Sequence, residues 1–413
     1  MKQRYKKLTH ELCVEAVMGC FDGKWRRSDV LEVVEKYAGI RREAILAELE
    51  TQGVWLRLEA AEAIAYEMEE RIDTMLAGGA DDLDLEPVIV KPRPDGMTGK
   101  IRDITQCSIM HQLFDHLLFL GLKPLLYARI LPQQFASIPG RGQTGLARKA
   151  EKYLRSEGLG IAVIRKTDVE HAYGTTKYSE VIRKIREEIP RAVWIVRVLE
   201  AVEKVAPGGH LIIGGYIDAW LFNLVMSYAL RYVSGLHRMR RDKTMYLITA
   251  KMAYMDDSAL MGSRTASVRS AVNKMNRWLQ RNFGLSLKKD IKEIHLMTTA
   301  AEHDMWRRKS KQRPPGLDMG GYVVHRTYTS IRRCIFVRIR RQYIRAARQM
   351  EKTGTIMLCR ARKLIAYYGY FKRTNTRKVK EALQVEKLTA IARSVVSSHA
   401  RLEAAKKGQK QYA

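Results

Sequence analysis

The chain has 413 residues, 46% of them hydrophobic, so wholesale disorder is excluded and two or three domains can each bury a core. Lys and Arg outnumber Asp and Glu by 74 to 44, a formal net charge of +30, so the expected partner is a polyanion, nucleic acid ahead of a membrane surface. Five cysteines (Cys13, Cys20, Cys107, Cys334 and Cys359) lie far apart without CxxC spacing, which argues for reduced thiols, a cytoplasmic location and no zinc site.

The opening segment, MKQRYKKLTHELCVEAV, lacks the apolar run and cleavage site of a signal peptide. Residues 1–86 read as a helical extension. Apolar residues recur at helical spacing from Arg42 onward, and Gly78-Gly79 is the expected stop. Asp81 to Glu86 reads as an acidic linker ending at Pro87. Residues 87–318 are of mixed pattern. Strand-like runs PVIVKP, GIAVIRKTDV and TMYLITAKMAYMDD alternate with helical IMHQLFDHLLFLGLKPLLYARIL and ASVRSAVNKMNRWLQRNFG. That order predicts an α+β fold, an antiparallel sheet with helices behind it. LIIGGYIDAWLFNLVMSYALRYV is the best membrane-span candidate, but Asp218 at mid-bilayer would cost about 3 kcal/mol, so a buried core helix is expected and no membrane partner. Residues 319–413 are helical and very basic. Arg332, Arg333, Arg338, Arg340, Arg341, Arg345 and Arg348 face away from an apolar stripe of Ile331, Ile335, Phe336, Ile339 and Ile344.

The sharpest signal is AYMDDSALMG, in which Asp256 and Asp257 sit between two apolar, strand-like runs. Neighbouring side chains of a strand face opposite sides, so only a tight hairpin turn brings both acids to one site. Asp168 ends another apolar run, GIAVI. An isolated Asp-Asp pair is usually a solvated turn and a lone Asp a helix cap. Three acids, each terminating a strand in a strongly basic chain, are a more specific set. Such a cluster can hold two Mg²⁺ ions, with Mn²⁺ as the substitute, about 3.5–4 Å apart for phosphoryl transfer.

Tyr254-Met255-Asp256-Asp257, together with Asp168-Val169 and Tyr173 five residues after the first acid, resembles the signature of reverse transcriptases. The motifs follow in that family's order from about Val88 to Thr376. The resemblance implies a right-hand polymerase fold, with fingers, a palm carrying an antiparallel sheet, and a helical thumb, preceded here by the helical extension. It implies an RNA-directed DNA polymerase that binds metal through Asp168, Asp256, Asp257 and the Val169 carbonyl. IVKPRPDGMTGKIRDI resembles the opening fingers motif, with Lys91, Lys100 and Arg102 on the nucleotide; Arg141 in FASIPGRGQTG would join them, between glycines that let backbone approach a ligand closely. Tyr173 would lie beneath the incoming sugar. In FGLSLKKDIKEIHL, one of Lys288, Lys289 and Lys292 would protonate the leaving pyrophosphate. GLDMGGYVVHRTYTSIRR resembles the primer-grip hairpin, so Gly320, Arg332, Arg333, Arg340 and Arg341, with Tyr254 and Met255, would meet template and primer; AYYGYFKRTNT resembles a later thumb element. The implied partners are an RNA template (including a dedicated non-coding RNA), the DNA product and deoxynucleotides, with a second copy of the chain or an accessory protein besides.

One motif departs from the family. IIGGYIDAWLFN carries Asp218-Ala219 where Ser-Gln is common, although Asn223 matches. A carboxylate there would repel phosphates unless paired or turned away, so either an Arg or Lys partner or an unusual template mode is expected. With no ribonuclease H, His-Asn-His or Cys-rich endonuclease pattern, the layout is closest to stand-alone bacterial reverse transcriptases, the anti-phage defence group among them. The competing functions are a template-independent or protein-primed DNA polymerase, an RNA-dependent RNA polymerase, and a catalytically idle nucleic-acid-binding scaffold. Tyr254-Met255 and Tyr173 argue against the RNA polymerase, and the presence of all three acids argues against the scaffold.

Overall fold

The helical spacing at the start of the chain produces four helices, α1 (His10–Phe21), α2 (Ser28–Ala38), α3 (Arg42–Thr51) and α4 (Trp55–Leu76). Thr9 caps α1 by accepting a hydrogen bond from the Leu12 N–H, and α4 stops just before Gly78, whose φ is +79°. This is a computed structural model, and it describes residues 4–80, 83–94, 101–296, 299–309 and 314–409. A hairpin follows, β1 (Ile89–Pro94) and β2 (Ile101–Gln106), antiparallel with Arg93 opposite Arg102. Next come α5 (Ile109–Arg129), α6 (Gly142–Arg155), β3 (Val163–Asp168), α7 (Ala172–Thr175), α8 (Tyr178–Glu188), α9 (Val193–Val205) and α10 (Tyr216–Gly235). Strands β4 (His237–Arg240), β5 (Lys243–Tyr246), β6 (Ala250–Tyr254) and β7 (Asp257–Gly262) lead to α11 (Thr265–Phe283), β8 (Lys292–His295) and α12 (Ala300–Lys309). The chain closes with β9 (Leu317–Met319), β10 (Tyr322–Val324), β11 (Thr329–Ile331), α13 (Arg333–Thr353), α14 (Leu358–Phe371), α15 (Arg377–Ala382) and α16 (Val385–Gln409). The fold is α+β, as the order of sequence patterns predicts.

The main sheet runs β6-β7-β3-β8, and β3 pairs antiparallel with β8 from Val163 opposite His295 to Lys166 opposite Lys292. The run TMYLITAKMAYMDD is not one strand but two. β5 pairs with β4, then Leu247 and Ile248 turn into the core and the Leu247 N–H donates to the Leu236 carbonyl, before β6 begins at Ala250.

The chain divides into two compact units. The first comprises Met1–Ile138, Thr167–Ser258 and Arg269–Ile291. Here α1 packs on α4 and α5, α4 on α9, and α10 on α5. The apolar α10 is a core helix, and no helix among the described residues is long and apolar enough to cross a membrane. The stretch read as an acidic linker is anchored: Leu83 and Leu85 are buried, and Arg71 Nη1 donates to the Leu83 carbonyl at 3.0 Å.

The second unit comprises Pro139–Lys166, Ala259–Val268 and Lys292–Ala413. Its three-stranded sheet, β11-β10-β9, turns at Gly320-Gly321, and its main core gathers Ile335, Ile339, Tyr343, Leu364, Phe371 and Leu388 from α13, α14 and α16. Arg326 is buried and donates to the carbonyls of Leu154 (2.9 Å) and Ile161 (2.8 Å), placing a cation at the C-terminal end of α6 where the helix dipole favours one.

Candidate active site

Strand β3 buries Val163 and Ile164 and ends on Asp168; β6 buries Ala250, Met252 and Ala253, and β7 starts on Asp257. One residue back from the acids, the buried hydroxyls of Thr167 and Ser258 hydrogen-bond at 2.6 Å. The Val169 N–H donates to the Asp256 carbonyl at 3.3 Å. These two bonds hold the strand ends side by side. Met255 has φ +56°, a left-handed conformation uncommon for a residue with a side chain. It turns the chain sharply enough for consecutive acids to serve one site. Neighbours fix it there: Asn223 Nδ2 lies 3.8 Å from the Met255 sulfur, and Gln134 Nε2 donates to the Asn223 carbonyl at 2.7 Å. Asn223 is thus an internal brace, also donating to the carbonyls of Ala136 and Ala219.

On the other flank, the Glu170 N–H donates to the Ser286 carbonyl and the Lys288 N–H to the Asp168 carbonyl, both at 2.8 Å. This pairing carries the Lys288 ammonium onto Asp168 Oδ2. Of the three candidate lysines, Lys288 makes this contact; Lys289 is exposed, and Lys292 opens β8. The Lys288 pKa is raised by its hydrogen bond to Asp168.

Asp256 is pushed up to about 7, first by burial, then by a hydrogen bond with Asp168, and then by the charges of Asp168 and Asp257. Asp168 Oδ1 is buried with no hydrogen-bond partner. Three carboxyl groups, Asp168, Asp256 and Asp257, thus share one neighbourhood with the Lys288 ammonium. Among the described residues no three such side chains form a ready-made metal cage. The donors present are hard oxygens, one of them orphaned, and these fit a hard divalent cation that takes its remaining ligands from water or substrate. Tyr173 belongs to the same neighbourhood: its ring stacks on Phe222 with centroids 5.5 Å apart, and burial, Asp218 and Asp256 all raise its hydroxyl pKa.

Lys91 and Arg102 lie on the exposed β1–β2 hairpin, with Lys91 Nζ donating to Gln106 Oε1 at 2.8 Å. Lys100 lies outside the described residues. In the second unit, Arg141 immediately precedes α6 and Gly320 occupies the β9–β10 turn. Arg332 spends its charge on Asp318. Arg333, Arg340 and Arg341 are exposed on α13, opposite the buried Ile335, Ile339, Tyr343 and Ala346. Tyr343, not the half-buried Ile344, continues the apolar stripe.

Among the described residues Asp218 has no Arg or Lys partner, the first of the two alternatives expected for it. It is fully buried, and its Oδ1 accepts from the Tyr178 hydroxyl at 2.7 Å and from the Ile212 N–H at 2.9 Å. Close by, the equally buried Asp115 Oδ2 accepts from the Tyr216 N–H at 2.8 Å. Burial and then Asp115 push Asp218 up to about 8, and burial pushes Asp115 up to about 7. Burial also lowers His111 to about 4, leaving it neutral 3.6 Å from Asp115. Sequence reasoning missed Asp115 and Tyr178. The available signal was that Asp115 is the one acid in the largely apolar α5. Neither a protein-family model nor a curated protein matches the chain.

Proposed function

We propose that the chain is an RNA-directed DNA polymerase of right-hand layout, adding deoxynucleotides by two-metal phosphoryl transfer. The observation that carries this reading is the gathering of Asp168, Asp256 and Asp257 at adjoining strand ends, with Asp168 Oδ1 buried and unpartnered. These carboxylates and the Val169 carbonyl would hold Mg²⁺, or Mn²⁺ in its place. Two such ions supply Lewis acidity for in-line attack of a primer hydroxyl on an α-phosphate. The chain's own side chains do the rest. Lys288 holds a proton at Nζ beside Asp168, a donor for the leaving pyrophosphate. Tyr173, backed by Phe222, occupies the space that a 2′-hydroxyl would need. Lys91 and Arg102 offer positive charge to the triphosphate, and the exposed arginines of α13 offer it to a nucleic-acid backbone. Because Asp218 is buried and hydrogen-bonded, it does not put a charge against the substrate phosphates, which removes one reason to expect an unusual template mode. A setting in bacterial anti-phage defence rests on resemblance of layout alone.

The test is extension of a labelled primer on an RNA template with deoxynucleotides or ribonucleotides, in Mg²⁺ or Mn²⁺. Templated deoxynucleotide products are expected. Preferred ribonucleotide addition would instead assign an RNA polymerase, products unrelated to the template a template-independent enzyme, and binding without synthesis a scaffold.

A further inference from the structure

The two carboxylates beneath the Gly214-Gly215 turn stand apart from the acid site, and the chemistry proposed above makes no use of them. Asp218 sits in the first turn of α10 and Asp115 in the middle of α5. They hold the turn at both ends, Asp218 through the Ile212 N–H at 2.9 Å and Asp115 through the Tyr216 N–H at 2.8 Å. Between these points the Ile213 carbonyl accepts from the Thr105 N–H of β2 at 2.8 Å. The fit leaves no room for a side chain. Gly214 has φ +132°, and a Cβ there would overlap the Thr105 carbonyl oxygen; a Cβ at Gly215 would overlap Asp218 Oδ2.

Every contact of this clamp leads to a part of the proposed site. Strand β2 carries Arg102. Tyr178, which donates to Asp218, follows Tyr173 by five residues. Helix α10 continues to Phe222, on which Tyr173 stacks, and to Asn223, which reaches Met255. The turn itself, through Gly214, Gly215, Tyr216 and Ala219, walls a cleft of about 480 Å³.

We propose that Asp115 and Asp218 are a pair of positioning residues that lock the Gly214-Gly215 turn and so set the β1–β2 hairpin and Tyr173 in register for the incoming nucleotide. This rests on the polymerase reading. A buried N–H is costly to leave without its acceptor, so removing a carboxylate should release the turn.

The experiment compares Asp115→Ala and Asp218→Ala with Asp115→Asn and Asp218→Asn, whose amide oxygens can still accept the backbone N–H. Two quantities are read: the deoxynucleotide KM and kcat on a primed RNA, and hydrogen exchange at the Ile212 and Tyr216 amides. The alanine variants should raise KM about tenfold or more with kcat at saturation within about threefold, and the asparagine variants should restore KM to within about threefold. Exchange at Ile212 should accelerate at least about tenfold in Asp218→Ala, and at Tyr216 in Asp115→Ala, while α14 amides stay as they are. Folded alanine variants with unchanged KM would overturn the proposal. If they do not fold, Tyr178→Phe, which removes only one hydroxyl from the clamp, should still raise KM, and an unaltered KM there would overturn it equally. If the wild-type chain makes no product at all, the polymerase reading fails, and the exchange at Ile212 and Tyr216 alone decides whether the clamp exists.

Discussion

Asp256 and Asp218 both hold protons more tightly than ordinary carboxyls, yet they do different work. Asp256 lies at a partly open turn among other acids, whereas Asp218 is fully buried and spends Oδ1 on a hydroxyl and an amide. For the buried pair the consequence is a pH dependence of stability. A carboxyl whose pKa is higher folded than unfolded favours the fold while protonated. That contribution is complete below the ordinary value of 3.8 and is lost as pH rises through about 7 for Asp115 and about 8 for Asp218. The surrounding groups do not supply a compensating cation: His111 is neutral above about 4, Cys107 is a thiol up to about 12, and Tyr178 keeps its proton. Asp115→Asn should therefore raise Tm relative to wild type by more at pH 9 than at pH 6, the gain growing by at least about 2–4 °C, the shift that 1 kcal/mol produces in a large domain. Thermal melts of both proteins across that range check it, and a pH-independent difference would count against burial as the cause. Tyr173 offers a second prediction. Its ring is held flat against Phe222, so it cannot swing aside cheaply. Tyr173→Ala should raise ribonucleotide relative to deoxynucleotide incorporation about tenfold or more, about 1.4 kcal/mol of discrimination. Single-nucleotide extension with each sugar measures the ratio, and a parallel fall in both rates would mean that the tyrosine only packs.

At the scale of elements, α13 shows how charge and burial divide one helix. Ile335, Ile339, Tyr343 and Ala346 go into the core, leaving Arg333, Arg340 and Arg341 exposed together. Replacing Arg340 and Arg341 with glutamine should weaken binding to unrelated nucleic acids alike and flatten the salt dependence, each lost phosphate contact removing a log–log slope of about 0.9 on B-DNA and about 0.7 on single strands. Titrations at several salt concentrations read this directly; an unaltered slope would assign the face to another partner. Such patterning is legible in sequence because helical periodicity is local. The apolar runs that became β3 and β6 and the acids at their ends were legible for the same reason. What could not be read was long-range. The lysine that reaches Asp168 was left open among three, and the strand pairing that brings up Ser286–Lys288 decides it. The partners of Asp218 come from α5 and α8 and from a backbone amide, and no spacing rule points to them. The break after Tyr246 was hidden because Leu247 and Ile248 are as apolar as strand residues but are buried outside any strand.

Across the whole molecule, a net charge of +30 and exposed arginines accompany a small cluster of three carboxyl groups, Asp168, Asp256 and Asp257. A polyanion held by the basic surface would be of no use to that site unless a cation filled it, and in the proposed polymerase both conditions are met together. The acids also stand where the fold can spare them. Asp256 lies at a half-buried turn, so the near-isosteric change Asp256→Asn should leave Tm within a few degrees and the circular dichroism unaltered. A neutral amide is a poor ligand for Mg²⁺, so chemistry should be lost while binding is kept. The decisive measurement is deoxynucleotide incorporation on a primed RNA in Mg²⁺ by wild type and Asp256→Asn at equal folded concentration. Incorporation by the wild type, with a drop of at least about 100-fold in the variant, about 2.7 kcal/mol of barrier, is the predicted result. Near-equal rates from the two proteins, or no incorporation by the wild type in Mg²⁺ or Mn²⁺, would contradict it.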